Sequence, residues 1–320
     1  MTIRTDTTLE DTRAQEKQGL SPGDLSILVP DFVRSLKARN LSKRTVGIYS
    51  DSCRLFVDYL VLAGLPTEAR QVTKAHVETY IESQLAEHKP ATACARFNAL
   101  SQLFRWLEEE SLILETPMAR MRRPRVPVET VHVLELEDLR KLLATAPPKS
   151  RDFLDVRDRA VMLLFCDTGM RLSELAGLKM DDIDRERDCA SVMGKGHKPR
   201  VCPYTPATAT AIDRYLRMRR EQKHASLSHL WITRQGYATG SAIYRVIRNR
   251  AELAGLGPVH PHQLRHSWAH DGLANGESEG DMMMLGGWSN RKMLERYGRE
   301  LAADRAIAAR RRHGGLGDRL

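Results

Sequence analysis

The sequence predicts a mainly α-helical chain with one small β-sheet, divided into two domains. Three observations lead there. Apolar residues recur at helical spacing through most of the chain, a short stretch alternates with strand period around a glycine-rich turn, and a proline- and arginine-rich segment at 117–131 interrupts both patterns. A length of 320 residues suffices for two hydrophobic cores.

Residues 1–22 lack helical periodicity and end at Ser21-Pro22-Gly23, so a mobile tail is expected. Over 23–116 the pattern is helical throughout. Ser42 is placed to cap a helix with Val46, Tyr49, Cys53, Phe56 and Leu60 on one face. Thr73 is placed to cap the next, with Val77, Tyr80, Ile81 and Leu85 as its stripe, and Phe97, Leu100, Phe104 and Leu107 line a third, which also carries Arg96 and Arg105. The segment 117–131, PMARMRRPRVPVETV, holds three prolines with Arg120, Arg122, Arg123 and Arg125, the composition of an extended basic linker between domains. Beyond it, helices are expected over 135–146 and 156–167. Strands at 190–193 and 200–204 flank the turn Gly194-Lys195-Gly196-His197, and helices follow over 207–221, 240–254, 262–274 and 290–297. Residues 132–299 form the expected second domain. The tail at 300–320 is alanine-rich, with Leu301 and Ile307 apolar, and has too few apolar positions to hold a helix without a docking surface.

Composition narrows the function. A formal net charge of +9 favours a polyanionic partner, because Lys and Arg that neutralise phosphates release counterions whatever the sequence bound. The five cysteines have no CxxC spacing, which argues against a disulfide framework or a cysteine zinc site. The polar amino terminus and the absence of a long apolar run predict a soluble protein of the cytoplasm with no membrane contact.

Three stretches could carry chemistry. In Thr168-Gly169-Met170-Arg171-Leu172-Ser173-Glu174 one helix ends and another begins, so Arg171 could aim its fork at a phosphate, or simply pair with Glu174 at the surface. In His260-Pro261-His262-Gln263-Leu264-Arg265-His266, His262 and Arg265 lie three apart on one face. The i,i+4 series His262, His266 and His270 leaves a metal reading open, although no HExxH glutamate accompanies it. Third, Gly286-Gly287-Trp288 is followed nine residues after the tryptophan by Tyr297.

Taken together, Arg171 in TGMRLSEL, Lys195 in the GKG turn, His262-x-x-Arg265 in HQLRH, and GGW with its trailing tyrosine occur in the order seen in tyrosine site-specific recombinases of the phage-integrase family, resembling Xer-type and Cre-like members over about residues 25–312. The resemblance implies a two-domain tyrosine recombinase architecture, with a helical, SAM-like core-binding domain over 23–116 and a mixed α/β catalytic domain over 132–299. No further amino-terminal domain precedes them in the expected layout, which argues against arm-site binding. The implied activity is cleavage and rejoining of DNA through a 3′-phosphotyrosine. Tyr297 is the nucleophile, Arg171 and Arg265 clamp the non-bridging oxygens, His262 accepts the tyrosine proton, Lys195 protonates the leaving 5′ oxygen, and Trp288 bonds the phosphate and buttresses Tyr297. Glu174 is expected to orient Arg171 or His262. Lys43, Arg44 and Arg96 are candidate DNA contacts on the first domain, with Arg122 and Arg123 on the linker. No metal or other cofactor is needed. The implied partner is double-stranded DNA with paired recombination sites, held by a homo-tetramer acting alone or with a second recombinase, whose 300–320 segments dock on neighbouring subunits. A silent DNA-binding regulator, a type IB topoisomerase and a zinc hydrolase are the competing readings. A regulator would have no use for the full residue set, a topoisomerase would relax supercoils without paired sites, and a hydrolase would lose activity to chelator.

Overall fold

The computed structural model describes residues 21–127, 133–194, 199–290, Leu294 and Ile307. The chain falls into two compact units, 1–128 and 129–320. The expected tail at 1–22 lies outside the described residues but for its last two. The 290–297 helix lies outside them but for Asn290 and Leu294, and the 300–320 segment but for Ile307, which is helical and exposed.

Among the described residues the first unit holds four packed α-helices. Helix α1 (Leu25–Ala38) is capped by Asp24, whose carboxylate accepts from the Ser26 N–H, and α2 (Lys43–Leu62) by Ser42, which accepts from the Thr45 N–H. Thr73 and His76 form a reciprocal cap on α3 (Lys74–Glu87), and α4 (Pro90–Glu109) begins on a proline, whose missing N–H costs nothing in the first turn. The apolar stripes meet in one core that includes Phe32, Cys53, Phe56, Leu60, Tyr80, Leu100 and Phe104. Phe56 packs edge-on against both Tyr80 and Phe104, with ring centroids 5.1 and 6.1 Å apart. One stripe residue is misplaced by the sequence reading: Leu85 is exposed and Gln84 takes the buried position, because α3 turns its 3.6-residue face one residue earlier. After α4 the basic segment runs through turns at 117–120 and then without helix or strand to 127.

In the second unit, α5 (Leu136–Ala144) precedes α6 (Phe153–Thr168), the central helix. Asp152 caps α6 through the N–H groups of Leu154 and Asp155, so it starts a turn earlier than its apolar stripe suggests. A short α7 (Leu172–Gly177) leads to an antiparallel sheet in the order β1 (Ile183–Asp184), β2 (Cys189–Met193), β3 (Pro199–Pro203), with Cys189 opposite Pro203 and Met193 opposite Pro199. Helix α8 (Pro206–Arg219), the ribbon β4 (Ile232–Thr233) and β5 (Gly236–Tyr237), α9 (Gly240–Leu253), α10 (Pro261–Ala274) and α11 (Glu279–Gly286) follow. Helices α8 and α10 both pack on α6, which buries Val156, Ala160, Val161, Met162, Leu164 and Phe165. The sequence reading anticipated neither α11 nor strands β1, β4 and β5.

This core also buries charge. Asp158 accepts from Arg157 with one oxygen and from Arg250 with the other, at 2.6–2.9 Å, while Arg250 reaches the Thr145 carbonyl at 2.6 Å. Arg219 donates to the carbonyls of Ala225, Leu227, His229 and Leu230 at 2.7–3.0 Å, fixing the loop ahead of β4.

Candidate active site

Helix α6 ends at Gly169, whose φ of +53° is left-handed and whose Cα faces the Trp268 ring so closely that a Cβ would lie 2.1 Å from it. Glycine is therefore required twice over, by backbone and by contact. The turn sets Arg171 at the N-cap of α7, where its own N–H donates to Glu174 Oε2 at 2.8 Å and its Nη1 donates to Glu174 Oε1 at 2.8 Å. The sequence left open a surface ion pair here. The pair exists, but its carboxylate is only 7 % exposed, against 32 % for the arginine.

The end of α11 is the centre of the site. Three successive carbonyls each accept from a different arginine: Leu285 from Arg200 Nε at 2.8 Å, Gly286 from Arg265 Nη2 at 2.5 Å, and Gly287 from Arg171 Nη2 at 2.9 Å. A helix C-terminus carries unsatisfied carbonyls and partial negative charge, so it gathers cations that would otherwise repel one another. Gly287 caps the helix at φ +62°, and the chain turns there into Trp288. Arg265 also donates to the Gly169 carbonyl and lies under the Trp288 ring, its guanidinium carbon 4.4 Å from the centroid. Arg265 and Trp288 are both buried.

Glu174 is the anion of this cluster. Arg200 grips it with both terminal nitrogens, at 2.9 and 2.7 Å. Burial alone would raise its pKa, but the bonds from Arg200 and Arg171 hold it down at about 2. Three guanidinium groups against one carboxylate leave net positive charge, which favours an anion nearby. Glu174 thus bonds Arg171 and Arg200 rather than His262.

His262, on the first turn of α10, keeps an exposed edge beside the cluster. Partial burial of the ring, with Arg265 and Arg171 nearby, pushes its pKa below the ordinary imidazole value. It borders a cavity of about 260 Å³ with Met170, Leu172, Tyr244, His260 and Pro261, and the Tyr244 hydroxyl bonds His260 Nδ1 at 2.9 Å. The His262 and His266 rings lie 4.5 Å apart, and among the described residues no group of three His, Cys, Asp or Glu converges on one point.

The structure thus gathers Arg171, Glu174, Arg265 and Trp288, with His262 alongside. Lys195 and Tyr297 lie outside the described residues; in sequence, Lys195 falls between β2 and β3, and Tyr297 nine residues past Trp288. On the first unit, Lys43 and Arg44 are exposed at the start of α2, Arg96 is half-buried on α4, and Arg122 is exposed. Arg123 donates from Nε to Cys94 Sγ at 2.7 Å. Arg200 is the residue that the sequence reading missed. In β3 it shares a strand face with Cys202, two residues on, which is a core residue.

With the geometry established, comparison with known proteins is informative. The phage integrase family model matches residues 132–303, and the phage integrase N-terminal SAM-like domain matches 28–113. Tyrosine recombinase XerD of Listeria monocytogenes serotype 4b (strain F2365) is 30% identical over 262 residues, 78% of this chain and 86% of that protein. Among solved structures, the XerH recombinase in its post-cleavage complex with palindromic difH substrate has a TM-score of 0.71 at 18% identity, covering 96% of this chain and 89% of that one. A lambda integrase tetramer bound to a Holliday junction has a TM-score of 0.67 at 20% identity, covering 86% and 77%. At these identities the structural matches speak for the fold, whereas the family model and XerD speak for ancestry. The chain belongs to the phage integrase family of tyrosine recombinases.

Proposed function

We propose that this protein is a site-specific recombinase that cleaves and rejoins DNA through a 3′-phosphotyrosine at Tyr297, exchanging strands between two sites in a tetramer. The observation that carries this reading is the convergence of Arg171 and Arg265, 94 residues apart in sequence, on one anion-seeking cluster at the Gly286–Trp288 turn.

A phosphodiester repels nucleophiles, so its charge must be offset while the nucleophile is held in line. Arg171 and Arg265 supply that charge, with Trp288 packed on the latter. The Tyr297 oxygen bonds to phosphorus and gives its proton to His262, which its lowered pKa keeps neutral and able to accept. The bond from phosphorus to the 5′ oxygen breaks, and that oxygen takes a proton from Lys195. Rejoining is the reverse, with a 5′-hydroxyl from the second site as nucleophile. The ester keeps the energy of the broken bond, so neither ATP nor a metal ion enters the scheme.

In this reading, residues 23–116 form the core-binding domain and 132–299 the catalytic domain, joined by the linker at 117–131. Lys43, Arg44, Arg96, Arg122 and Arg123 grip phosphates, and 300–320 docks on a neighbouring subunit. The lambda integrase tetramer on a Holliday junction supports the tetrameric part of this reading. The protein would work on cytoplasmic, nucleoid DNA, and among the described residues no helix is long and apolar enough to cross a membrane.

The direct test is Tyr297→Phe, which removes one hydroxyl. It should bind DNA normally and form no covalent protein–DNA adduct; adduct at the wild-type level overturns the assignment. Recombination between paired sites, undiminished by EDTA, separates this reading from a topoisomerase and from a zinc hydrolase.

A further inference from the structure

Arg200 offers almost nothing to an incoming ligand. Its side chain is 8 % exposed, its Nε is committed to the Leu285 carbonyl, and both terminal nitrogens are committed to Glu174. Whatever it does for the reaction, it does through its neighbours.

The decisive feature is how the Glu174 carboxylate is divided. Oε1 accepts from Arg171 Nη1 and Arg200 Nη1, and Oε2 accepts from the Arg171 backbone N–H and Arg200 Nη2. Arg171 therefore meets the carboxylate through one terminal nitrogen while its other reaches the Gly287 carbonyl. If Arg200 were absent, a buried carboxylate would be left with a single cation and unfilled acceptor sites, an expensive state. The cheapest relief is for the Arg171 fork to rotate into a two-pronged pair with Glu174, the geometry that guanidinium and carboxylate favour most. That would cancel the charge of the most exposed arginine in the cluster and release its bond to Gly287.

We infer that Arg200 is a positioning residue for DNA cleavage: by sharing Glu174 and anchoring Leu285, it prevents Glu174 from sequestering Arg171 and keeps that guanidinium available for a phosphodiester. The inference rests on the proposed role of Arg171 as a phosphate clamp. Arg200 touches neither substrate nor reacting atoms.

The test uses the full-length protein and single-turnover cleavage of its DNA site. The scissile linkage is either an ordinary phosphate or a methylphosphonate, in which an uncharged methyl replaces one non-bridging oxygen. A neutral linkage has less charge to offset, so variants that have lost the clamp lose less on it. Arg200→Met should cleave phosphate about 100-fold more slowly than wild type. On methylphosphonate its deficit should fall below about tenfold, with half-site binding retained. Removing the competing anion as well, in Arg200→Met/Glu174→Gln, should recover much of the phosphate rate. Arg171→Ala is the reference. If its deficit is undiminished on methylphosphonate, the clamp role of Arg171 falls. If Arg171→Ala responds but Arg200→Met is equally slow on both linkages and is not helped by Glu174→Gln, this inference alone is overturned. Should Arg200→Met fail to fold, Arg200→Lys, which keeps the charge but loses the fork, carries the same substrate comparison.

Discussion

The two units are stabilised in different ways. The first buries almost no charge: its core is aliphatic and aromatic, and its buried polar residues, among those described, are Ser52, Gln84 and the capping Asp24. The second buries Arg157, Arg219, Arg250 and Arg265 outright, with Arg200 nearly so, and satisfies them largely with main-chain carbonyls and with Asp158 and Glu174. An apolar core tolerates changes of shape if volume is kept. A core of guanidinium groups demands specific acceptors in specific places, and so fixes backbone carbonyls with an accuracy that packing alone does not give. The second unit thereby holds the turn after α11 in one geometry, which is what a reacting centre requires.

That contrast can be broken at its strongest point first. Asp158→Ala leaves Arg157 and Arg250 buried together without their shared anion and should destabilise the protein by about 3–5 kcal/mol, read by denaturant unfolding. A loss below 1 kcal/mol would mean that the buried ions are not held as described. In the first unit the comparable injury is a cavity: Leu100→Ala should cost about 2–5 kcal/mol, whereas Leu100→Met, which preserves volume, should cost under about 1.5 kcal/mol. Equal losses from the two substitutions would show that this core is as exacting as the other.

The pH profile of cleavage sharpens the comparison at the site. A histidine with depressed pKa takes up its proton only as pH falls below the ordinary imidazole value of about 6.5, so the neutral base persists to lower pH and the acid limb of the rate should lie below that value. His262→Gln should slow cleavage by about 100-fold and remove that limb. A limb that persists in the variant assigns it to another group. Glu174, at about 2, stays ionised throughout and contributes no limb in this range. The smallest effect belongs to the exposed cations of the first unit. If Lys43 contacts a phosphate, Lys43→Ala should reduce the slope of log binding constant against log salt by about 0.9 with no change in thermal stability. An unchanged slope would remove Lys43 from the DNA contacts.

What the sequence made legible follows from periodicity. Helices α2 to α4 carry clear stripes and side-chain or proline starts, so their faces could be assigned, Leu85 apart. Strands β2 and β3 alternate around a glycine turn and were expected nearly in place. Helix α11 was not, because eight residues containing Met282-Met283-Met284-Leu285 give a uniform apolar run with no polar face to set a period. Its Ser278 cap was the one available sign. The ribbon of β4 and β5 has two residues per strand, too few for alternation to register. At the site, Arg171, Glu174, Arg265 and Trp288 stood out through motif company, and the fold brings them together. Arg200 did not, since its partners lie 26 and 85 residues away and no local pattern encodes them.

The three arginines at the end of α11 donate to main-chain carbonyls there. Those bonds read the backbone, while two positions of α11 are held by packing: a Cβ at Gly286 would lie 2.6 Å from the Trp288 ring, and Met282 is buried. Met284, which is 68 % exposed, lies outside those constraints and can vary without disturbing the arginine cluster. Variation at this exposed position is thus uncoupled from the geometry of the arginine cluster.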